Sequence, residues 1–247
     1  MLAILLLALV QAEDPKPAVT IAQETAAYSY EFSWSREALQ IAPLDALLRM
    51  RAEESRAEIV GDAQEAYDDA RKDGGFFPET GYMSNWSFAT AGQSLALLSL
   101  AGEWFTYTGG AHGIFGATTM LWDREAAKEI AVSDLFEKVS EYALLHPAMC
   151  EALNRERKEK RESEDQIDTN FDALDDAFNG CPKFEEVSSW IADEDGDGLF
   201  DTMAFAADPY VAGPYVEGSY EMKVPVTERL IAGLKPGYRA SFEAQRQ

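Results

Sequence analysis

The sequence predicts an α+β fold in which antiparallel sheets pack with helices as two small intertwined subdomains. Three observations carry this. Alternation with a period of two marks strands near both ends of the chain. A long stretch with a period near 3.6 lies between the early strands. Strand-like and helix-like segments come in blocks instead of alternating, which favours a segregated sheet over a doubly wound one.

The elements follow in chain order. Tyr28, Tyr30, Phe32 and Trp34 alternate with polar residues, as a half-buried strand requires. Pro43 opens a helix whose apolar positions include Leu44, Leu47, Leu48, Ile59 and Ala63, and Gly74-Gly75 ends it. The pattern returns to strands at Trp86–Phe88, Leu95–Leu100, Trp104–Tyr107 and Thr118–Trp122. After Ile130–Val132, Ser133 is placed to cap a helix at Asp134–Phe136, and helical spacing runs on past His146-Pro147 to Glu162. A last helical piece is expected over Phe171–Phe178. Val187–Ala192 and Leu199–Phe205 read as a hairpin, Tyr220–Val224 as a short strand and Thr227–Leu234 as a closing helix.

The division expected is a signal peptide over 1–12, a flexible leader over 13–26, a strand–helix–strand subdomain over 27–105, an α+β subdomain over 106–236 and a tail over 237–247. The apolar run from Met1 to Val10, followed by Gln11-Ala12, is too short to span a bilayer and fits the core of an export signal. The chain is therefore expected to be exported, periplasmic or secreted, and at most peripheral to the membrane. Export gives Cys150 and Cys181 an oxidising compartment in which to pair, and the absence of a Cys-x-x-Cys argues against redox catalysis. Acidic residues number 44 against 21 basic ones, a net charge of −23 that disfavours nucleic acid and speeds encounter with basic partners.

Few motifs carry chemistry. Asp193-x-Asp195-x-Asp197-Gly198-x-x-Asp201 has the carboxylate spacing of a calcium loop, but Ala204 stands where the bidentate glutamate belongs and the flanks read as strands. A solvated hairpin turn is the plainer reading, with calcium a candidate ligand of those four aspartates. His112 and His146 are the only histidines, too few for a histidine-based zinc site. Ser94 half-resembles a nucleophile elbow but lacks the second glycine and reads as an ordinary strand residue. The run from Arg155 to Glu162 interleaves opposite charges at i,i+4, as in Glu156–Lys160 and Arg155–Glu159, which predicts a solvated helix face.

Two glycine-rich stretches remain. Tyr107-Thr-Gly109-Gly110-Ala-His112-Gly113, followed by Thr118–Asp123 and Val132–Phe136, resembles one signature of the RsiV/PdaC-type extracytoplasmic domain family of bacteria. Pro209-Tyr210-Val-Ala-Gly213-Pro214-Tyr215-Val-Glu-Gly218, followed by a strand, Pro225 and a short helix, is similar to the second. Members include the sensor region of a lysozyme-detecting anti-sigma factor and the region preceding the catalytic domain of a peptidoglycan deacetylase. The resemblance spans about Ala27 to Leu234. It implies an exported envelope binding module whose ligand is cell-wall related or a basic protein such as lysozyme. Tyr107, Gly109, Gly110, His112, Gly113, Tyr210, Gly213, Pro214 and Tyr215 are the binding-loop residues it points to. The alternatives are a cell-wall glycan hydrolase or deacetylase working through His112, and a structural envelope protein. No nucleophile–base–orienter set can be assembled from the motifs, so no residue is assigned a catalytic role.

Overall fold

The computed structural model describes residues 16–163, 178 and 180–245. The expected signal peptide over 1–12 and nearly all of the expected helix over Phe171–Phe178 lie outside these residues.

The α+β expectation holds. Six strands form one sheet in the order β1 (Val19–Glu24), β2 (Tyr28–Trp34), β3 (Tyr82–Gln93), β4 (Leu97–Tyr107), β5 (Ile114–Asp123) and β6 (Lys128–Ile130). A second sheet is β7 (Ser188–Ala192), β8 (Thr202–Ala207) and β9 (Tyr220–Pro225). The larger sheet is not purely antiparallel. A short helix, α1 (Arg36–Leu39), and the 32-residue α2 (Ala42–Asp73) carry the chain from the end of β2 back to the start of β3, so that pair is parallel. Gly74 ends α2 in the left-handed region, at φ 70°, as the glycine pair predicted.

The leader expected over 13–26 is a strand in its second half. Thr20, Ala22 and Glu24 pair with Ser33, Glu31 and Ser29, so β1 extends the sheet edge beyond the aromatic alternation that marked β2. The tail expected from 237 onward is likewise docked: Phe242 packs on Phe200, and Glu243 donates its N–H to the Phe200 carbonyl. The boundary drawn at 105/106 falls inside β4, and β5 and β6 complete the sheet that β1–β4 begin.

One face of the larger sheet carries Tyr30, Phe32, Trp34, Phe88, Leu100 and Trp122, packed with Leu44, Leu48, Ala52 and Ala63 of α2. The opposite face meets the smaller sheet through small side chains, with Ala91, Ala101 and Ala117 against Trp190, Ala192, Ala204 and Ala206. Every residue of β8 is buried, because its odd positions, Met203 and Phe205, enter a further core on the other side. There α4 (His146–Ser163) and α5 (Glu228–Gly233) close the stack with Met149, Leu153 and Leu230. A separate helix of five residues, α3 (Val139–Ala143), precedes α4, so the helical spacing read as continuous past His146-Pro147 is broken before it. The Ser133-capped helix is a 3-10 turn over Val132–Leu135, and its closing contact is the Asp134 carboxylate on the Ala131 N–H.

Cys150 of α4 and Cys181 form a disulfide across 31 positions. The sulfurs that cluster with His146 are thus bonded to each other and do not serve as metal ligands.

Candidate functional site

Gly109 and Gly110 both take positive φ, 102° and 96°, and reverse the chain between β4 and β5. The Tyr107 hydroxyl donates to the Gly110 carbonyl at 3.2 Å and braces that reversal. The turn delivers His112 to the surface, where its Nδ1 lies 2.9 Å from the Gly113 carbonyl. The second stretch is the connection from β8 to β9, a turn at Asp208–Val211 followed by a 3-10 turn at Tyr215–Glu217.

These two loops, about a hundred positions apart in the chain, meet. The imidazole of His112 stacks on the Tyr215 ring with centroids 3.9 Å apart and planes 25° off parallel. The Tyr215 hydroxyl donates to the Gly113 carbonyl at 2.8 Å, sharing that acceptor with His112. Phe115 meets Tyr215 edge-on at 5.7 Å, and Tyr210 lies 5.7 Å from it on another side. Gly213 is buried beneath the loop, and Pro214 leads into the 3-10 turn. His112, Gly113, Tyr210 and Tyr215 of the expected loop residues are thus brought together, whereas Tyr107 braces the first turn and Gly213 lies buried beneath the second.

Tyr210 adopts φ 74°, a conformation that costs a β-carbon-bearing residue about 1–3 kcal/mol. It is held there by its N–H on the Gly213 carbonyl and by the Val211 N–H on the Asp208 carbonyl. Tyr210 stays 55% exposed, as do Val216 of the same loop at 57% and Ile114, where β5 begins after the first loop, at 50%. An exposed aromatic residue held on strained backbone is characteristic of a contact surface.

Sequence reasoning missed what holds the second loop. Arg157, expected on a solvated helix face, is only 5% exposed. Its Nε and Nη2 donate to the Ala212 carbonyl at 3.1 and 2.8 Å, and Nη2 also reaches the Gly180 carbonyl at 2.9 Å. Lys160 donates to the carbonyls of Glu217 and Ser219 and sits 4.3 Å over the Tyr220 ring. Arg161 pairs with the Glu217 carboxylate at 3.0 Å. A signal was present: Met149, Leu153 and Arg157 follow at i+4, so the arginine continues the buried stripe of α4.

Asp208 was also missed. β6 pairs only with the far end of β5, so the Gly116–Ala117 edge is free, and Asp208 covers it by accepting the Ala117 N–H at 2.9 Å. Ser188 donates to the Ala117 carbonyl on the same edge. A β-carbon at Gly116 would come within 2.1 Å of Asp208 Oδ2, so glycine is required for the carboxylate to enter. Burial raises the Asp208 pKa above the usual aspartate range, with the Ala117 N–H acting against the rise. Because the folded pKa is raised, ionisation is easier in the unfolded chain, and rising pH costs stability. The Tm advantage of Asp208→Asn over the native chain is expected to open from about pH 4 upward and level off above the raised folded pKa. A pH-independent difference in thermal melts would count against this.

The remaining candidates lie elsewhere. Asp123 sits at the opposite end of β5 from His112, about 30 Å away along the strand. Burial disfavours its charge, but the N–H groups of Ala126 and Glu125 and the Tyr238 hydroxyl outweigh that and lower its pKa. Tyr238 is pushed up to about 12 by its own burial and by Asp123. Ser94 is in the turn between β3 and β4, not in a strand, and its hydroxyl contacts the Ser241 hydroxyl. Asp193 caps the β7–β8 turn by accepting the N–H groups of Gly196, Asp197 and Gly198. Asp195 and Asp197 gather near it, whereas Asp201 is buried and accepts the Glu194 N–H.

Two stacked sheets, with two aromatic loops meeting at one end, make up this α+β module. The structure is similar to that of a DUF3298 family protein from Pseudomonas aeruginosa, 20% identical, with 94% of this chain and 99% of that chain covered and a TM-score of 0.54. A member of the same family from Bacteroides fragilis is 16% identical over 90% of this chain and 94% of its own, with a TM-score of 0.49. No family model matches the sequence, and no curated protein does.

Proposed function

We propose that the protein is an exported envelope binding module that recognises a basic protein such as lysozyme, or a cell-wall ligand, through the surface of its two aromatic loops. The observation that carries this reading is the His112–Tyr215 stack, which joins both signature loops and leaves Tyr210 exposed on strained backbone. Tyrosines so placed offer flat apolar area with a hydroxyl at little entropic cost, which suits protein and sugar contacts alike. The net charge of −23 favours the cationic protein of the two ligand classes. The Cys150–Cys181 disulfide suits an oxidising compartment, in keeping with export to the periplasm or beyond.

The competing enzyme reading places chemistry on His112. Its Nδ1 meets the Gly113 carbonyl and its ring stacks on Tyr215, and neither partner is a nucleophile that the imidazole could activate. Binding should therefore be the measurable activity. Hen lysozyme and purified peptidoglycan, titrated separately, are the probes. Tyr210→Ala and Tyr215→Ala are each expected to weaken the tighter of the two complexes by about tenfold or more. For lysozyme, association should also slow as salt rises, since exposed charges are screened beyond about 8–10 Å. Release of acetate or reducing sugar from peptidoglycan that stops in His112→Ala would overturn the reading.

A further inference from the structure

Beside the loop pair, where the two sheets meet, lies a half-open groove of about 460 Å³. It exists because the facing strands carry small residues there, Ala101 and Ala117 on the larger sheet and Ala206 on the smaller. Phe115 and Trp190 supply aromatic wall. Two glutamates border it, one from each sheet, and each stands across its ladder from one of those alanines: Glu103 opposite Ala117, and Glu221 opposite Ala206. Both carboxylates are exposed. Glu221 is 3.4 Å from Lys223, which lies closer to Glu194 at 2.9 Å. The Glu103 side chain has no hydrogen bond or ion pair among the described residues. Phe115 belongs to the groove and to the Tyr215 contact, so groove and loop surface are continuous.

We propose that this groove takes an arginine side chain of a basic protein partner, resting on the loop-surface reading above. The aliphatic stem would lie along Phe115 and Trp190, and the guanidinium would meet the carboxylates of Glu103 and Glu221. Such a chain covers apolar surface with its stem while its fork suits carboxylate geometry. The pairing sets which basic residues of a partner dock beside the tyrosines, over and above the general attraction of an acidic surface.

Calorimetric titration with tetra-arginine at low salt tests it. Glu103→Gln and Glu221→Gln are each expected to weaken binding about two- to fivefold, and the double variant about tenfold, in line with exposed charge pairs. Both side chains are exposed, so folding should be unaffected and circular dichroism unchanged. Glu54→Gln/Glu58→Gln, on the exposed face of α2, removes the same charge elsewhere and should leave affinity within about twofold. Tyr210→Ala should keep tetra-arginine binding while losing the larger ligand. Failure of the native protein to bind, unchanged affinity in the groove double variant, or equal weakening in the α2 control would each overturn the groove. None of those three results touches the tyrosine surface, which stands or falls on Tyr210→Ala and Tyr215→Ala against lysozyme and peptidoglycan.

Discussion

Arg157→Ala is expected to destabilise the protein by about 3 kcal/mol, the scale set by losing charge-assisted hydrogen bonds and leaving the buried Ala212 carbonyl without its donor. The side chain is 5% exposed and its guanidinium forks between the Ala212 and Gly180 carbonyls. Ala212 lies inside the loop that carries Tyr210 and Tyr215, so the cost should extend beyond global stability. Hydrogen exchange at 208–219 should rise in the variant more than exchange in β3 or β4. Arg157→Lys is expected to recover little, because one ammonium cannot reproduce the planar fork. Denaturant unfolding with Arg157→Ala within about 0.5 kcal/mol of native would show that the arginine is a surface residue after all.

Cys150→Ser/Cys181→Ser is expected to cost about 4 kcal/mol, the chain-entropy value for opening a loop of 31 positions. The disulfide fixes the segment at 180–184 against the start of α4, where the Pro182 carbonyl also meets His146 Nε2 at 3.0 Å. Arg157 grips the same segment one residue earlier, at Gly180. Two ties on one strap should be coupled, so the triple variant is expected to lose less than the summed costs. Matched melts of the native chain, Arg157→Ala, the double cysteine variant and the triple variant under non-reducing conditions measure this. Strict additivity would mean that the two ties act on separate parts of the structure.

Much of the fold was legible in the sequence. The alternation at Tyr28–Trp34 named β2, the glycine pair at 74–75 named the end of α2, and the smaller sheet followed from its turn chemistry. β1 was hidden because an edge strand exposed along most of its length shows little alternation: in Val19–Glu24 only Val19 and Ile21 approach the core. The parallel pairing of β2 and β3 was hidden because a period of two is the same for either strand direction. The basic run on α4 misled because Glu–Lys spacing is a local signal, whereas the burial of Arg157 depends on a loop 55 positions away.

By itself, the sequence determined the class of fold, the acidic surface, the cysteine pair and the two glycine-rich loops, because each is written in local pattern or in composition. Only the tertiary structure decided that the loops form one surface, since the His112–Tyr215 contact joins residues more than a hundred positions apart. It also decided that Asp208 seals the free edge of β5 at Gly116, and that Glu103 and Glu221 border one groove from different sheets. Periodicity encodes which way a side chain faces within its own element. It carries no information on which element lies opposite, and that is set by how the two sheets close on their alanine layer.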